Sequence, residues 1–347
     1  MPEVIQAEMA GESGLAYVEE GQPGFTRRRR GKGFAYYDPA GRLVTDAQLR
    51  ERFERLVIPP AWTSVWICPD PFGHIQATGR DARGRKQYLY HPAWDELRSQ
   101  AKFGRLPAFG QALPALRARL DLDLHRPRLD RARVVALVVS LMEETLIRVG
   151  NPEYERQNSS YGLTTLLDEH ATVAGGRVLF AFVGKSGKPH AIELRDPRLA
   201  RLVKRCQELP GQRLFQYLDE NGQCCLAVTS GDVNDYLRAI TGQDFSAKDF
   251  RTWGGTVLAA LQLDEAGPPE TEKLADKQVV QAVRVVSIAL GNTLATCRKY
   301  YIHPAVFAGY RSGALFAAMQ AGRRPPQNEA QAALSAAERG VLHLLNR

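Results

Sequence analysis

The sequence predicts an α+β protein: a small N-terminal β-rich domain, then a larger, mainly helical domain that carries a β-hairpin. Three observations support this. Before residue 90 the apolar residues come in short runs cut by turn residues such as Asp38-Pro39-Ala40-Gly41 and Asp70-Pro71. From His91 onward they recur at helical spacing. Within the helical part, 177–184 and 189–194 alternate or run apolar on either side of Lys185-Ser186-Gly187-Lys188, which reads as a hairpin and its turn.

Taken in order, residues 1–24 are rich in Gly and Glu without periodicity and read as a loosely ordered leader. Strands are expected at 34–37, 65–68, 75–78 and 87–90, with one amphipathic helix at 46–56. The clearest helix is 131–149, apolar on nearly every face and therefore buried. Further helices begin at Pro197, Gly231, Lys248, Glu270 and Glu329, and another runs from Asp276 to a cap at Gly291-Asn292. The domain boundary is expected near residue 102, ahead of the short, polar, proline-containing Gly104 to Gly110. That gives a leader (1–24), an N-terminal β-rich domain (25–102) and a mainly α domain (103–347).

The 347 residues, 44% of them apolar, suffice for more than one core. Lys and Arg number 46 against 38 Asp and Glu, a net charge of +8, which suits an acidic partner. The excess is uneven: residues 1–20 hold five acids and no base, residues 21–100 fourteen bases against eight acids. Cys68, Cys206, Cys224, Cys225 and Cys297 show no CxxC spacing, so neither a zinc knuckle nor a disulfide framework is indicated. No basic segment leads into an apolar one at the start, and the apolar runs are short for a bilayer, so a soluble cytoplasmic protein is expected.

Several residues invite chemistry. Arg148 closes the apolar helix before Gly150-Asn151; it reads either as a cation answering the helix dipole or as a guanidinium aimed at an anion. Arg251 lies in Lys248-Asp249-Phe250-Arg251-Thr252-Trp253-Gly254-Gly255, either a solvated basic face or a phosphate site. Lys185 at a hairpin tip says nothing alone. Gly184-Lys185-Ser186 is not a P-loop, because Leu179 stands where the earlier glycine is required and a strand follows. Asp121 and Asp123 read as a solvated turn, since nothing completes a carboxylate set for a metal. Tyr301 follows Asn292 by nine residues, in Cys297-Arg298-Lys299-Tyr300-Tyr301-Ile302-His303-Pro304.

Together these segments resemble the poxvirus-like and bacterial branch of type IB DNA topoisomerases, from about Gly31 to Phe307. In the small domain the resemblance rests on Ile58-Pro59-Pro60-Ala61-Trp62, Gly73-His74-Ile75-Gln76-Ala77-Thr78-Gly79 and Gly84-Arg85-Lys86-Gln87-Tyr88. In the large domain it rests on Ile147-Arg148-Val149-Gly150-Asn151, Tyr161-Gly162-Leu163-Thr164-Thr165-Leu166, Phe182-Val183-Gly184-Lys185, the Lys248–Trp253 run, and Leu290-Gly291-Asn292-Thr293 before Tyr301.

The resemblance implies a tyrosine recombinase/topoisomerase IB-like fold, with catalytic arginines at Arg148 and Arg251, a catalytic lysine at Lys185 and the nucleophile at Tyr301. Asn292 stands where many relatives have histidine. It can donate a hydrogen bond but cannot be an imidazolium. Implied too are transient single-strand cleavage of duplex DNA through a 3′-phosphotyrosyl bond, strand rotation and religation, with no ATP, metal or other cofactor. The partner would be duplex DNA, gripped by a monomer closing as a clamp, with Gln87, Tyr88, Tyr90 and Lys248 as DNA contacts, in the cytoplasm on the nucleoid. A tyrosine recombinase would usually carry histidine where Lys248 stands, and a non-catalytic DNA-binding protein would have no need of Tyr301 at this offset.

Overall fold

A computed structural model of the chain describes residues 7, 10, 11, 13–19, 21–219, 221 and 225–346. Cys224, Arg347 and much of the leader lie outside the described residues. The chain divides into two units, one ending at Gly104 and the other beginning at Arg105.

The first unit contains β1 (Phe25–Arg30), β2 (Gly33–Tyr37), α1 (Ala47–Arg55), β3 (Thr63–Ile67), β4 (Ile75–Arg80), β5 (Lys86–Tyr90) and α2 (Pro92–Gly104). Its five strands form one antiparallel sheet in the order β2-β1-β3-β4-β5. Strand β1 was not expected, because four consecutive arginines (27–30) hide the period-2 signal. Of the four, only one is buried. Arg27, 8% exposed, turns inward and donates to the carbonyls of Ile58 (2.7 Å), Pro59 (2.8 Å) and Trp62 (3.1 Å). Arg28 turns outward over the Tyr37 ring. Helix α1, capped by Asp46 on the Leu49 amide, drops Phe53 among Tyr36, Val65, Ile67 and Ala77.

The motifs of this unit are packing devices. Gln76 is buried and donates to the carbonyls of Asp70, Pro71 and Gly73 while accepting from Arg52. His74 lies between Tyr17 and Trp94, and its Nδ1 accepts from the Val18 amide. The expectation of a loose leader is therefore corrected in its described part. Leu15 and Val18 are buried, Ala16 bridges to Gly73, and Ala10 and Leu15 cluster with Trp94.

The second unit runs α3 (Leu106–Leu124), α4 (Arg131–Thr145), α5 (Pro152–Asn158), β6 (Ala171–Ala174), β7 (Arg177–Gly184), β8 (Lys188–Arg195) and α6 (Pro197–Gln207). A two-stranded ribbon, β9 (Gln216–Leu218) and β10 (Cys225–Ala227), precedes α7 (Ser230–Thr241), α8 (Ala247–Ala266) and α9 (Glu272–Leu290). Then come α10 (Leu294–Tyr300), α11 (Pro304–Ser312), α12 (Ala314–Gly322), α13 (Glu329–Ala332) and α14 (Ala336–Leu345). Helix α4, buried without a break from Arg133 to Met142, is the centre of the core.

Three expectations are corrected here. Gly104 to Gly110, read as a short polar stretch at the boundary, is mostly helical and apolar: Gly104 ends α2, Pro107 sits in the first turn of α3, and Leu106 and Phe109 are fully buried. Asp123 is not in a solvated turn but buried in the last turn of α3, accepting from Arg119 Nε (2.7 Å) and Tyr236 Oη (2.8 Å). The 131–149 helix stops at Thr145, where Thr145 Oγ1 turns back to the Leu141 carbonyl and Leu146 adopts left-handed backbone at φ 54°. The hairpin turn is also one residue shorter than expected, because Gly184 pairs with Lys188.

The arginine strand yields a direct test. Arg27→Ala strands three loop carbonyls and should lower the unfolding free energy by about 2–3 kcal/mol, whereas Arg28→Ala should cost less than about 0.5 kcal/mol. Urea unfolding of the full chain measures both, and equal losses would overturn the assignment of Arg27 to the inside and Arg28 to the outside.

Candidate active site

Past the end of α4 the chain runs without regular structure through Arg148, so this arginine is not a helix terminus as the sequence suggested. Its main chain is gripped by the Tyr161–Leu166 segment: the amides of Leu163 and Thr164 donate to the carbonyls of Arg148 (2.8 Å) and Val149 (2.7 Å). Gly162 is required for that approach, since a Cβ there would lie 2.6 Å from the Gly150 nitrogen. Opposite, the Tyr161 amide donates to the Val183 carbonyl, which ties the same segment to β7.

Arg251, in the second turn of α8 and 5% exposed, spends its guanidinium on two helix ends. Its Nη1 donates to the Leu146 carbonyl beyond α4, and its Nη2 to the Leu290 carbonyl at the end of α9 (2.7 Å). The same guanidinium carbon stands 5.3 Å from the centroid of the Tyr301 ring. Tyr301 closes α10, its amide donating to the Cys297 carbonyl (2.9 Å). Gly255 lets its backbone come close, because a Cβ there would lie 2.6 Å from the Tyr301 carbonyl oxygen. Tyr300 points elsewhere, exposed and next to Lys299.

Asn292 follows Gly291, whose left-handed backbone (φ 56°) caps α9. Its Oδ1 accepts from Arg148 Nη2 at 3.0 Å, leaving Nδ2 as a donor without a partner. Arg251 Nε is likewise buried and unpaired. Among the described residues no carboxylate is bonded to either arginine. Burial lowers the affinity of both for their protons. For Arg251 the neighbouring charge of Arg148 adds to this, and its pKa falls to about 10. Two guanidinium groups and an amide donor thus share a partly buried space with no counter-anion, an arrangement that an incoming anion would relieve.

Four of the expected residues, Arg148, Arg251, Asn292 and Tyr301, are therefore brought together. Lys185 is exposed at the tip of the β7–β8 hairpin, where Ser186 (φ 67°) and Gly187 (φ 73°) turn the chain. Lys248 is exposed on the first turn of α8, one turn before Arg251.

In the first unit β5 separates the residues that the sequence grouped. Tyr88 and Tyr90 stack at 5.9 Å on one face, whereas Gln87 faces the other way and its amide is held by Asp81 Oδ2 at 3.0 Å. The period-2 alternation of a strand requires this split. Register places Arg28, Trp66, Arg80 and Lys86 on the Tyr88 face, a basic and aromatic surface that sequence reasoning missed because β1 was not recognised. Also missed was His190, which lines the cleft beside Arg148 and Arg251.

Comparison with known proteins gives consistent matches to both parts of the chain. A family described as "Eukaryotic DNA topoisomerase I, catalytic core" matches residues 91–317, and "Bacterial DNA topoisomerase IB, N-terminal domain" matches residues 33–81. Among curated relatives, "DNA topoisomerase 1B" of Acanthamoeba polyphaga mimivirus is 33% identical over 285 residues, covering 80% of this chain and 85% of the relative. "DNA topoisomerase 1" of Rabbit fibroma virus (strain Kasza) is 22% identical, covering 64% and 71%. "DNA topoisomerase 1B" of Vaccinia virus (strain Copenhagen) is 23% identical, covering 41% and 46%.

Proposed function

This chain belongs to the type IB DNA topoisomerases, with DNA as its substrate, and from that premise we propose that it cuts and reseals one strand of a duplex with Tyr301 as nucleophile. The observation that carries this assignment is the pair of uncompensated guanidinium groups around Tyr301, with the unpaired Asn292 amide beside them. A phosphodiester is an anion that repels nucleophiles, and its transition state gathers further charge on the non-bridging oxygens. Arg148, Arg251 and Asn292 offer preorganised donors to that charge, each worth on the order of 3 kcal/mol in comparable sites. The Tyr301 phenol gives its proton to water as its oxygen bonds to phosphorus, and the bond from phosphorus to the 5′-oxygen of the next nucleotide breaks. The product is a 3′-phosphotyrosyl bond, close in energy to the phosphodiester it replaces, so resealing is reversal and needs no ATP.

Lys185 supplies the proton to the departing 5′-oxygen. Its place on an exposed hairpin tip supports this, because a mobile ammonium can follow the leaving strand into the cleft. A single copy acts, in the cytoplasm on the nucleoid, its two units closing as a clamp on the duplex. Tyr88 and Tyr90 meet base edges, while Arg28, Arg80, Lys86 and Lys248 meet phosphates.

Tyr301→Phe should abolish relaxation of supercoiled plasmid and the protein-linked DNA on denaturing gels while duplex binding persists, and the wild type should relax plasmid in EDTA. Adduct in the Tyr301→Phe protein would move the nucleophile elsewhere. Duplex affinity should fall steeply with salt, the log–log slope dropping by roughly 0.9 for each phosphate contact removed, as in Arg28→Ala or Lys86→Ala. An unchanged slope in both variants would take the sheet face out of the interface.

Lys185→Ala should slow cleavage by about 10²- to 10⁴-fold. A substrate with sulfur in place of the 5′-bridging oxygen leaves without a proton and should restore cleavage in that variant. Arg148→Ala and Arg251→Ala should gain nothing from sulfur, because their task lies on the non-bridging oxygens. Equal recovery in all three would leave Lys185 as a charge contact only.

A further inference from the structure

His190, in β8, pairs across the hairpin with Phe182, and the two rings stack at 5.1 Å with an interplanar angle of 12°. The stack sets the direction of the imidazole. One edge faces Gly184, where a Cβ would lie 2.6 Å from both Cδ2 and Nε2. The Cε1 corner faces Gly291, where a Cβ would collide with the ring. Gly184 immediately precedes Lys185, and Gly291 immediately precedes Asn292. One flat side chain thus fills the gap between the hairpin that delivers the lysine and the helix cap that delivers the amide. Both glycines leave it room, and the left-handed backbone of Gly291 makes glycine doubly suitable there.

The ring's charge state fits this task. Burial, then the charges of Arg148, Arg251 and Lys188, disfavour its protonation. A third cation wedged beside two guanidinium groups would drive the hairpin away from the cap, whereas a neutral ring holds them at contact distance.

We propose that His190 is a positioning residue for strand cleavage: its ring, clamped between Phe182, Gly184 and Gly291, fixes the hairpin tip that bears Lys185 against the turn that bears Asn292. This rests on the reading of Lys185 and Asn292 given above. It assigns His190 no contact with DNA. Its effect is a matter of register, and a displacement of about 1 Å at a reacting centre can cost on the order of 10²-fold in rate.

The test is a double-mutant cycle on full-length protein, using His190→Ala, Asn292→Ala and the pair, with single-turnover cleavage of a duplex at saturating protein and duplex affinity measured separately. His190→Ala should cut the cleavage rate by about 10- to 100-fold with affinity unchanged. Adding Asn292→Ala should then cost less than about 3-fold, although alone it costs far more, because the amide is already out of place. Losses that multiply in the cycle, or a wild-type rate in His190→Ala, would overturn the inference. A loss confined to affinity would overturn it too. A full rate in Asn292→Ala alone would instead remove the reading of Asn292 as a phosphate donor, and this inference with it. If His190→Ala does not accumulate, His190→Gln keeps the reach but not the planar ring and carries the same cycle.

Discussion

The site depends on a single buried guanidinium. The last carbonyls of a helix have no partner within the helix and carry the negative end of its dipole. Arg251 takes one such carbonyl beyond α4 and another at the end of α9. Those two ends are where the chain turns toward Arg148 and toward Asn292. The same guanidinium lies against the Tyr301 ring. One side chain therefore fixes three segments far apart in sequence, and its unpaired Nε remains inside the site. Burying a lone cation is costly, and the carbonyls offset that cost only in part, which is why burial and Arg148 together draw its pKa down to about 10. The remaining deficit favours an anion.

Glycines convert this arrangement into close contact. Gly162 admits the backbone that carries Arg148, Gly255 admits the carbonyl of Tyr301, and Gly291 admits His190 while ending α9. A methyl at any of the three would meet another main chain or a ring, so these positions transmit local substitution directly to Arg148, Tyr301 and His190. The motifs in which they occur, Tyr161-Gly162-Leu163 and Gly254-Gly255 among them, are legible as patterns, but their reason is not. It lies in contacts between residues remote in sequence.

Legibility of the fold followed the same division. The β7–β8 hairpin, α1 and the helix starts at Pro197 and Lys248 could be read to within a residue because each has a local signal: alternation, an N-cap, or a proline in the first turn. Strand β1 could not, since four consecutive arginines leave no hydropathy signal; Arg27 is buried by three carbonyls and the Phe34 ring. Helix α3 was hidden by Gly104, Pro107 and Gly110, of which Gly110 is needed to seat Trp253. Arg148 was read as a helix terminus because its apolar neighbours continue beyond Thr145, whereas the helix ends where a threonine hydroxyl and a left-handed leucine intervene. Gln87, grouped with two tyrosines by proximity in sequence, is separated from them by the pleat.

The surroundings of Asn292 fix how its amide is presented. An asparagine offers an acceptor and a donor, and which end faces a ligand is undetermined until one of them is engaged. Arg148 cannot accept, so by donating to Oδ1 at 3.0 Å it commits Nδ2 to the donor role. The arginine whose own charge has no counter-anion thus also orients the amide beside it. A neutral imidazole accepting from Arg148 would likewise present one N–H, but it could also titrate, and the field of two guanidinium groups opposes its protonation, as it does at His190. The amide escapes the conflict, because its donor carries no charge and does not titrate. Its cost is dependence: without Arg148 nothing fixes its orientation, so the two residues should be lost or kept as a pair.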